Sequence, residues 1–437
     1  MIALLLVLTA SQQADGGVPP QASPQDRPCI VVIDSVGGTY RQVPAGPNVE
    51  NAFASGGVWA RCRNTETTLY ADSVAWYPGP QRFDMVGDVR IRDSTLALDS
   101  RFAAYYVNRE VLEARNNVVA VNRATRSTLR GPNLTYLRAA TGVRDTTEMF
   151  ASGRPTIEYR AESDTAEPYI IVADRVRFRG NDRMWGGGQV TIDRSDLAAR
   201  ADSMLLNETT GVGALIRRPR IEGKRGRPYT LTGTRIDLAL AGREIERTMA
   251  HGAGEATGDD WRLTADTIHL HIGDSRLQQV FAWGDSSRPH ATSTENTIVA
   301  DSLALDTPDE RLDEIRAFGR ALSTTKRDTT AAADVDWIAG DTLVARFVQT
   351  TDSAGETSPE LREIVAHGSA RALTHHYDEP GGAAPASINY SRGATIAVAL
   401  RGDRIDRVVV TGQTDGVHLE PQPPAPPDTT RTGDPPP

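Results

Sequence analysis

The sequence is short of several residue types, and each shortage argues against a class of protein. Only 6% of the 437 residues are aromatic and 39% are apolar, which is little for a thick, multilayered core. Two cysteines are too few for a disulfide-built scaffold or a four-cysteine zinc site. The net charge is −9, whereas nucleic-acid binders usually carry a net basic face. The composition therefore favours a thin protein made mostly of β-strands.

Long hydrophobic runs are also missing after the first residues. Ile2 to Leu8 is an apolar stretch followed by small residues, and we interpret residues 1–14 as a secretory signal peptide, the alternative being a disordered or core-strand N-terminus. No later stretch approaches the about 20 apolar residues of a membrane helix. Residues 15–29 are a Pro- and Gly-rich leader, and residues 421–437 are a Pro-rich tail that cannot pair into a sheet. We therefore expect an exported, periplasmic protein.

An internal repeat is the strongest signal in the sequence. One element alternates apolar residues, usually with alanine two positions before a closing glycine. Its copies end at Gly153, Gly252, Gly284, Gly319, Gly368 and Gly412. The alternation is the period-two signature of a half-buried strand. Because glycine weakens a strand interior, its recurrence predicts a bend or a close approach at the same level of each unit.

A second element alternates with the first and starts with Ala-Asp or Gly-Asp before another alternating strand. Its copies begin at Ala71, Ala173, Ala201, Ala265, Ala300 and Gly340. Turn residues lie between the two elements, so the unit is a strand, a tight turn, a strand and a variable connection. Such units cannot bury their apolar faces alone and must stack. The sequence therefore predicts an all-β fold in two arrays, residues 30–165 and 166–420.

These repeats resemble the OstA-like (organic solvent tolerance) family of lipopolysaccharide-transport proteins. The likeness is clearest in ADSVAWY from Ala71, in VGDVRI from Val86 and in LRGPNLTY from Leu129, and it covers about residues 30–419. The resemblance implies an elongated antiparallel β-jelly roll, open along one side like a folded taco. The chain is longer than a single-domain member of the family.

The resemblance also implies a function in outer-membrane biogenesis. Family members hold lipopolysaccharide acyl chains in an apolar crease and join end to end by pairing exposed edge strands. We therefore expect lipopolysaccharide or a related glycolipid, and other OstA-like components, as partners, with peripheral membrane association and no nucleic acid. An unpaired strand invites β-addition, so residues 30–34 and 408–419 are the candidate edges.

A lipid-holding crease needs apolar side chains on one strand face, and each methylene removed from water contributes about 0.8 kcal/mol. The candidate lining residues are Val74, Trp76, Val89, Ile91, Val176, Phe178, Ile268, Leu270, Leu303 and Leu305. Neighbouring arginines could meet phosphates at the rim of the crease. These candidates are Arg90, Arg92, Arg175 and Arg177. The alternative is a dry sandwich core with solvated arginines.

No catalytic or cofactor machinery stands out. His269 and His271 share a strand face at a spacing that permits metal ligation, but no further Cys or His cluster accompanies them. The Gly-Asp-Ser triplets at 273–275 and 284–286 are typical of turns rather than of serine-hydrolase blocks. No phosphate-binding loop of the Walker kind occurs. We predict a protein that is not an enzyme and needs no metal or cofactor.

Cys29 and Cys62 flank the first strands. In an oxidising periplasm they are expected to form one disulfide, which contributes roughly 3–4 kcal/mol by the chain-entropy relation. Two buried free thiols are the alternative.

Two other functions stay open on the sequence. A carbohydrate-associated or adhesive β-helix keeps a strict coil length, whereas Gly284 to Gly319 spans 35 residues and Gly319 to Gly368 spans 49. A structural envelope protein without lipid cargo would show the same strands around a dry core.

Overall fold

The computed structural model describes residues 29–63, 65–160, 166–259, 261–294, 296–308, 311–326, 335–351, 357–376, 386–402 and 404–421. The predicted signal peptide, residues 15–28 of the leader and residues 422–437 of the tail lie outside the described residues. The fold is all-β and antiparallel, as predicted, with a 3-10 turn at Val107–Arg109. Antiparallel pairing rules out the parallel β-helix that the sequence left open.

Two compact units make up the chain. Among the described residues, unit 1 lies within residues 29–120 and 133–149, and unit 2 within residues 121–132 and 150–421. The sequence placed this boundary at residue 165. The division instead runs through three strands, β7 (Val111–Asn122), β8 (Thr128–Leu137) and β9 (Glu148–Ser152). A boundary inside continuous strands leaves no linker composition for a sequence pattern to detect.

The remaining strands of unit 1 are β1 (Val31–Val36), β2 (Tyr40–Gly46), β3 (Val49–Cys62), β4 (Thr68–Tyr77), β5 (Arg82–Arg92) and β6 (Leu96–Tyr106). Those of unit 2 are β10 (Thr156–Tyr159), β11 (Tyr169–Val172), β12 (Arg175–Arg179), β13 (Arg183–Asp193), β14 (Leu197–Asn207), β15 (Val212–Ile216), β16 (Arg220–Gly223), β17 (Tyr229–Thr232), β18 (Arg235–Ala241), β19 (Glu244–Thr257), β20 (Trp261–Gly273), β21 (Arg276–Trp283), β22 (His290–Ser293), β23 (Asn296–Val299), β24 (Ser302–Asp306), β25 (Glu314–Lys326), β26 (Val335–Thr351), β27 (Thr357–His376), β28 (Ser387–Arg401), β29 (Arg404–Thr411) and β30 (Asp415–Leu419).

Long strands of unit 2 bend in the middle, and their two halves pair with different neighbours. Residues 197–200 of β14 pair with β16, for example, whereas residues 203–207 pair with β15. Following the pairings gives two ladders. Layer A runs β11-β13-β14-β16-β17-β19-β20-β22-β23-β25-β26-β27-β28-β30. Layer B runs β12-β13-β14-β15-β18-β19-β20-β21-β24-β25-β26-β27-β28-β29.

Each long strand bends where it passes from one layer to the other, and we call this bend a corner. The two sequence elements of the repeat meet there, which explains why they occur together. In β25 the backbone turns through two left-handed residues, Gly319 (φ +75°) and Arg320 (φ +46°), where the ladder register shifts. A Cβ on Gly319 would lie 2.5 Å from an oxygen of Asp301, the aspartate of the other element. Gly368 and Asp341 repeat this arrangement at 2.3 Å. The glycine is required both by the backbone angle and by the close approach of the aspartate.

Corner aspartates also accept backbone hydrogen bonds. The Oδ2 atom of Asp72 accepts from the N–H of Asp88 at 2.9 Å, and Oδ2 of Asp266 accepts from the N–H groups of Ser286 and Ser287 at 2.7 and 3.1 Å. The Asp88 N–H lies at the register shift of β5, and the Ser286 and Ser287 N–H groups lie in the bend after β21, so these bonds satisfy donors that the ladder does not use. The bend predicted at Gly284 is therefore a corner held by hydrogen bonds to Asp266.

Candidate functional site

An apolar cavity of about 320 Å³ lies between layers A and B of unit 2, and we call it the crease cavity. The β20–β27 segment of the chain supplies most of its walls. Layer A contributes Leu263, Ala291 and Ile298. Layer B contributes Leu277, Val280, Leu305, Ile315, Ala345, Phe347, Leu361 and Ile364. These side chains come from alternate positions of the bent strands, whose apolar faces turn toward the space between the layers.

The two rims of the crease cavity differ in chemistry. The layer A rim carries Trp261 and polar side chains, among them Arg227, Arg262, Thr292, Ser293 and Asn296, whereas the layer B rim carries Leu312, Phe347, Pro359 and Leu361. Among the described residues, the two charged side chains that line the cavity are both arginines. Arg262 is paired with Glu255 at 3.0 Å. Arg227 reaches from the turn after β16 and donates a hydrogen bond to the carbonyl oxygen of Thr357 on the layer B side.

Farther toward β13, an ion cluster connects the turns at the ends of the two layers. Arg194 and Asp196 lie in the β13–β14 turn of layer A, and Glu244 begins β19 of layer B. The guanidinium of Arg194 donates to Asp196 at 2.6 Å and to Glu244 at 2.5 Å, with only 8% of its side chain exposed. It also lies 4.1 Å from the ring centroid of Tyr169. Burial would raise the pKa of Asp196, but the hydrogen bond and charge of Arg194 outweigh it and lower that pKa.

Unit 1 has a comparable polar cluster, centred on Glu110. Only 1% of Glu110 is exposed, and its carboxylate accepts from the Cys29 N–H at 2.9 Å and from the Tyr105 hydroxyl at 2.5 Å. Arg138 lies 3.4 Å away. Burial, together with the charge of Glu110, raises the pKa of Tyr105. A small cavity of about 50 Å³ adjoins this cluster and the disulfide between Cys29 and Cys62.

The structure separates the lipid-binding candidates that the sequence grouped together. Leu305 lines the crease cavity, and Ile91 lines the small cavity of unit 1. Val74, Val89, Val176, Ile268, Leu270 and Leu303 are buried and line neither of these cavities. Trp76 and Phe178 are half-buried and line neither. The alternation of apolar residues thus identifies the inward face but not the positions where the layers leave space.

The rim arginines proposed from the sequence lie elsewhere. Arg90 pairs with Asp88 and Arg92 with Asp99, each at 2.5 Å. Arg177 stacks near the rings of Phe150 and Trp185, at 5.3 and 5.4 Å from the centroids. Arg175 is exposed on β12. None of the four lines the crease cavity, where Arg227 and Arg262 stand instead.

The weak catalytic and metal candidates also have structural positions. His269 lies beside the Phe281 ring, with centroids 6.0 Å apart, and burial together with the nearby charge of Arg247 lowers its pKa. His271 is exposed on the same strand. Ser275 and Ser286 lie in turns or bends. Among the described residues, no group of three or more His, Cys, Asp or Glu side chains is placed to hold a metal ion.

The part of the chain that the structure describes contains no helix with the length and apolar composition needed to cross a membrane. No protein-family model and no curated protein matches this chain.

Proposed function

We propose that the protein is a periplasmic component of lipopolysaccharide transport or outer-membrane assembly that holds lipid acyl chains in the crease cavity. The observation that carries this proposal is the apolar space of about 320 Å³ between layers A and B. Its size falls in the range of about 300–1,000 Å³ typical of small-molecule sites. Apolar walls hold a chain by burial, at about 0.8 kcal/mol per methylene, without directional contacts. Such binding suits a cargo that must be handed on.

The different chemistry of the two rims favours an amphiphilic ligand bound in one orientation. Layer B offers apolar side chains at the rim, and layer A offers Arg227 and Arg262 with neutral hydrogen-bonding groups. A guanidinium forms strong paired hydrogen bonds with phosphate. The phosphorylated head of a glycolipid would therefore lie against the layer A rim, with its chains between the layers.

The test is lipid analysis of protein purified from its native envelope, with mass spectrometry of the extract. We expect stoichiometric glycolipid of the lipid A type. Ala345→Leu, which adds bulk to the cavity wall, should lower the amount bound. Ala304→Leu on the same layer is the control, because Ala304 does not line the cavity. A folded, delipidated protein that takes up neither lipopolysaccharide nor a fluorescent fatty acid would contradict the proposal and favour a structural role.

The terminal strands support partner binding by strand addition. In unit 1, β1 and β2 both pair with β3, and in unit 2, β29 and β30 both pair with β28. Apolar side chains are exposed on these strands, including Ile33 and Tyr40 in unit 1 and Val408 and Val417 in unit 2. Unpaired edges carrying apolar residues are sites where another chain adds a strand. The proposed partner is a chain with the same repeat, such as a second copy.

A photo-crosslinker at Val417 tests this pairing in the purified protein. We expect a covalent dimer whose adduct maps to residues 31–46 of the second copy. Val212 is the matched control, because it is 46% exposed but lies on β15 between two paired strands. Equal dimer yield at Val417 and Val212, or none at Val417, would count against edge pairing between copies.

A further inference from the structure

We infer that the crease cavity is closed at one end by Tyr229, and that this side chain sets the longest acyl chain the cavity accepts. The inference rests on the proposed lipid binding. Tyr229 begins β17 and is 9% exposed. It lines the crease cavity and also a second cavity of about 20 Å³, and of the residues that the structure describes it alone belongs to both linings. The aromatic ring therefore stands as the partition between them.

The sequence around Tyr229 fixes the position of its ring. Gly223 of β16 is the ladder partner of Tyr229, and a Cβ on Gly223 would lie 2.1 Å from the ring atom Cε1. The ring thus lies directly over the backbone of Gly223, in space that the side chain of any other residue at position 223 would occupy. Pro228 precedes it and restricts the backbone further. The pairing of β16 with β17 therefore holds the ring of Tyr229 in place.

Beyond the partition, the lining is mixed and includes buried charged groups. The second cavity is bordered by Tyr169, Arg194 and Asp196, together with Leu197, Ile245 and Ile272. Arg194 is held there by Asp196 and Glu244. An acyl chain that entered this region would have to displace buried, paired charges, which is strongly unfavourable. The crease cavity is therefore a blind pocket for the end of a chain, not a channel that continues toward β13.

A homologous series of saturated fatty acids tests this inference in the full-length protein. In the unaltered protein, affinity should rise about four-fold per methylene and then level off at the chain length that reaches Tyr229. Tyr229→Ala vacates the space of the ring in front of the Arg194 cluster, so the plateau should move to longer chains by the few carbons that fill that space. Tyr229→Phe keeps the ring and should keep the plateau. Tyr229→Leu retains apolar bulk for folding and should give an intermediate shift.

Phe150→Ala is the matched control, because Phe150 is a half-exposed aromatic of unit 2 that lines neither cavity. An unchanged plateau in folded Tyr229→Ala and Tyr229→Leu proteins would overturn the inference, as would affinity that keeps rising with length in the unaltered protein. These results leave lipid binding itself intact. If no fatty acid of any length binds the unaltered protein, the proposed function fails as well.

Discussion

Replacing Glu110 by alanine is expected to lower the free energy of unfolding of unit 1 by about 3–5 kcal/mol. The carboxylate is 1% exposed and accepts hydrogen bonds from the Cys29 N–H and the Tyr105 hydroxyl. Its removal leaves the Cys29 N–H and the Tyr105 hydroxyl without their acceptor. Buried groups that lose a partner retain the full cost of leaving water.

Hydrogen exchange followed by mass spectrometry measures this effect region by region. Protection should fall in peptides from β1 to β6 and stay unchanged in peptides from β20 to β27. Glu113→Ala is the control, since Glu113 forms a more exposed pair with Arg115 at 2.9 Å, and such pairs contribute about 0–1 kcal/mol. Similar loss of protection in the two variants would show that the Glu110 cluster does not stabilise unit 1.

Loss of the disulfide should have the next largest effect, roughly 3–4 kcal/mol. Cys29 and Cys62 are 33 residues apart, with Cα atoms at 5.0 Å, and the bond closes the loop that contains β1 and β2. Opening that loop enlarges the conformational freedom of the unfolded chain. Replacing both cysteines by serine, or adding reductant, should therefore lower the stability of unit 1.

Unit 2 of the same protein is the control, because the sequence has only these two cysteines and both lie in unit 1. Reductant should leave hydrogen exchange of unit 2 peptides unchanged. The disulfide also holds the Cys29 N–H against Glu110, so the Glu110→Ala effect should shrink in the cysteine-free background. Strictly additive losses would show that the disulfide and the carboxylate act independently.

The all-β fold could be predicted from the sequence because the same short strand pattern repeats along the chain. Alternating residues identify strands, and the closing glycine lies opposite an aspartate at Gly284, Gly319 and Gly368, but opposite Thr234 at Gly252 and opposite Ala394 at Gly412. Corners without glycine escaped the pattern. Asn116 and Asn117 have φ of +64° and +56°, and Arg217 and Arg218 have φ of +61° and +52°. Residues other than glycine adopt the left-handed region at a cost in conformational energy. Asparagine or arginine at these positions therefore does not indicate a bend in the sequence.

The candidate site was less predictable, because it depends on residues that are distant in sequence. Nothing near Arg194 shows that it will meet Glu244, which lies 50 residues away on the other layer. Nothing in the alternation distinguishes Leu270, which is packed in the core, from Leu305, which lines the cavity. The space between two layers is set by side chains of both, so a pattern within one strand cannot reveal it.

The rim arginines show the same limit. Arg227 lies in the loop between two short strands, outside every copy of the repeat, and therefore carried no signal. Arg90 and Arg92 stood inside the repeat, where alternation places outward-facing residues, and their acidic partners Asp88 and Asp99 lie within a few positions. Both pairs lie at the surface, and neither arginine lines the crease cavity.

The most direct test of lipid binding in unit 2 is a photo-reactive phenylalanine analogue at Phe347, with mass spectrometry of the adducts formed in the native envelope. Phe347 is half-buried and lines the crease cavity, whereas Phe178 is a half-buried phenylalanine of the same unit that does not. We expect an acyl-chain adduct at position 347 and none at position 178. Equal lipid labelling at both positions, or none at 347 in a folded protein, would contradict the account.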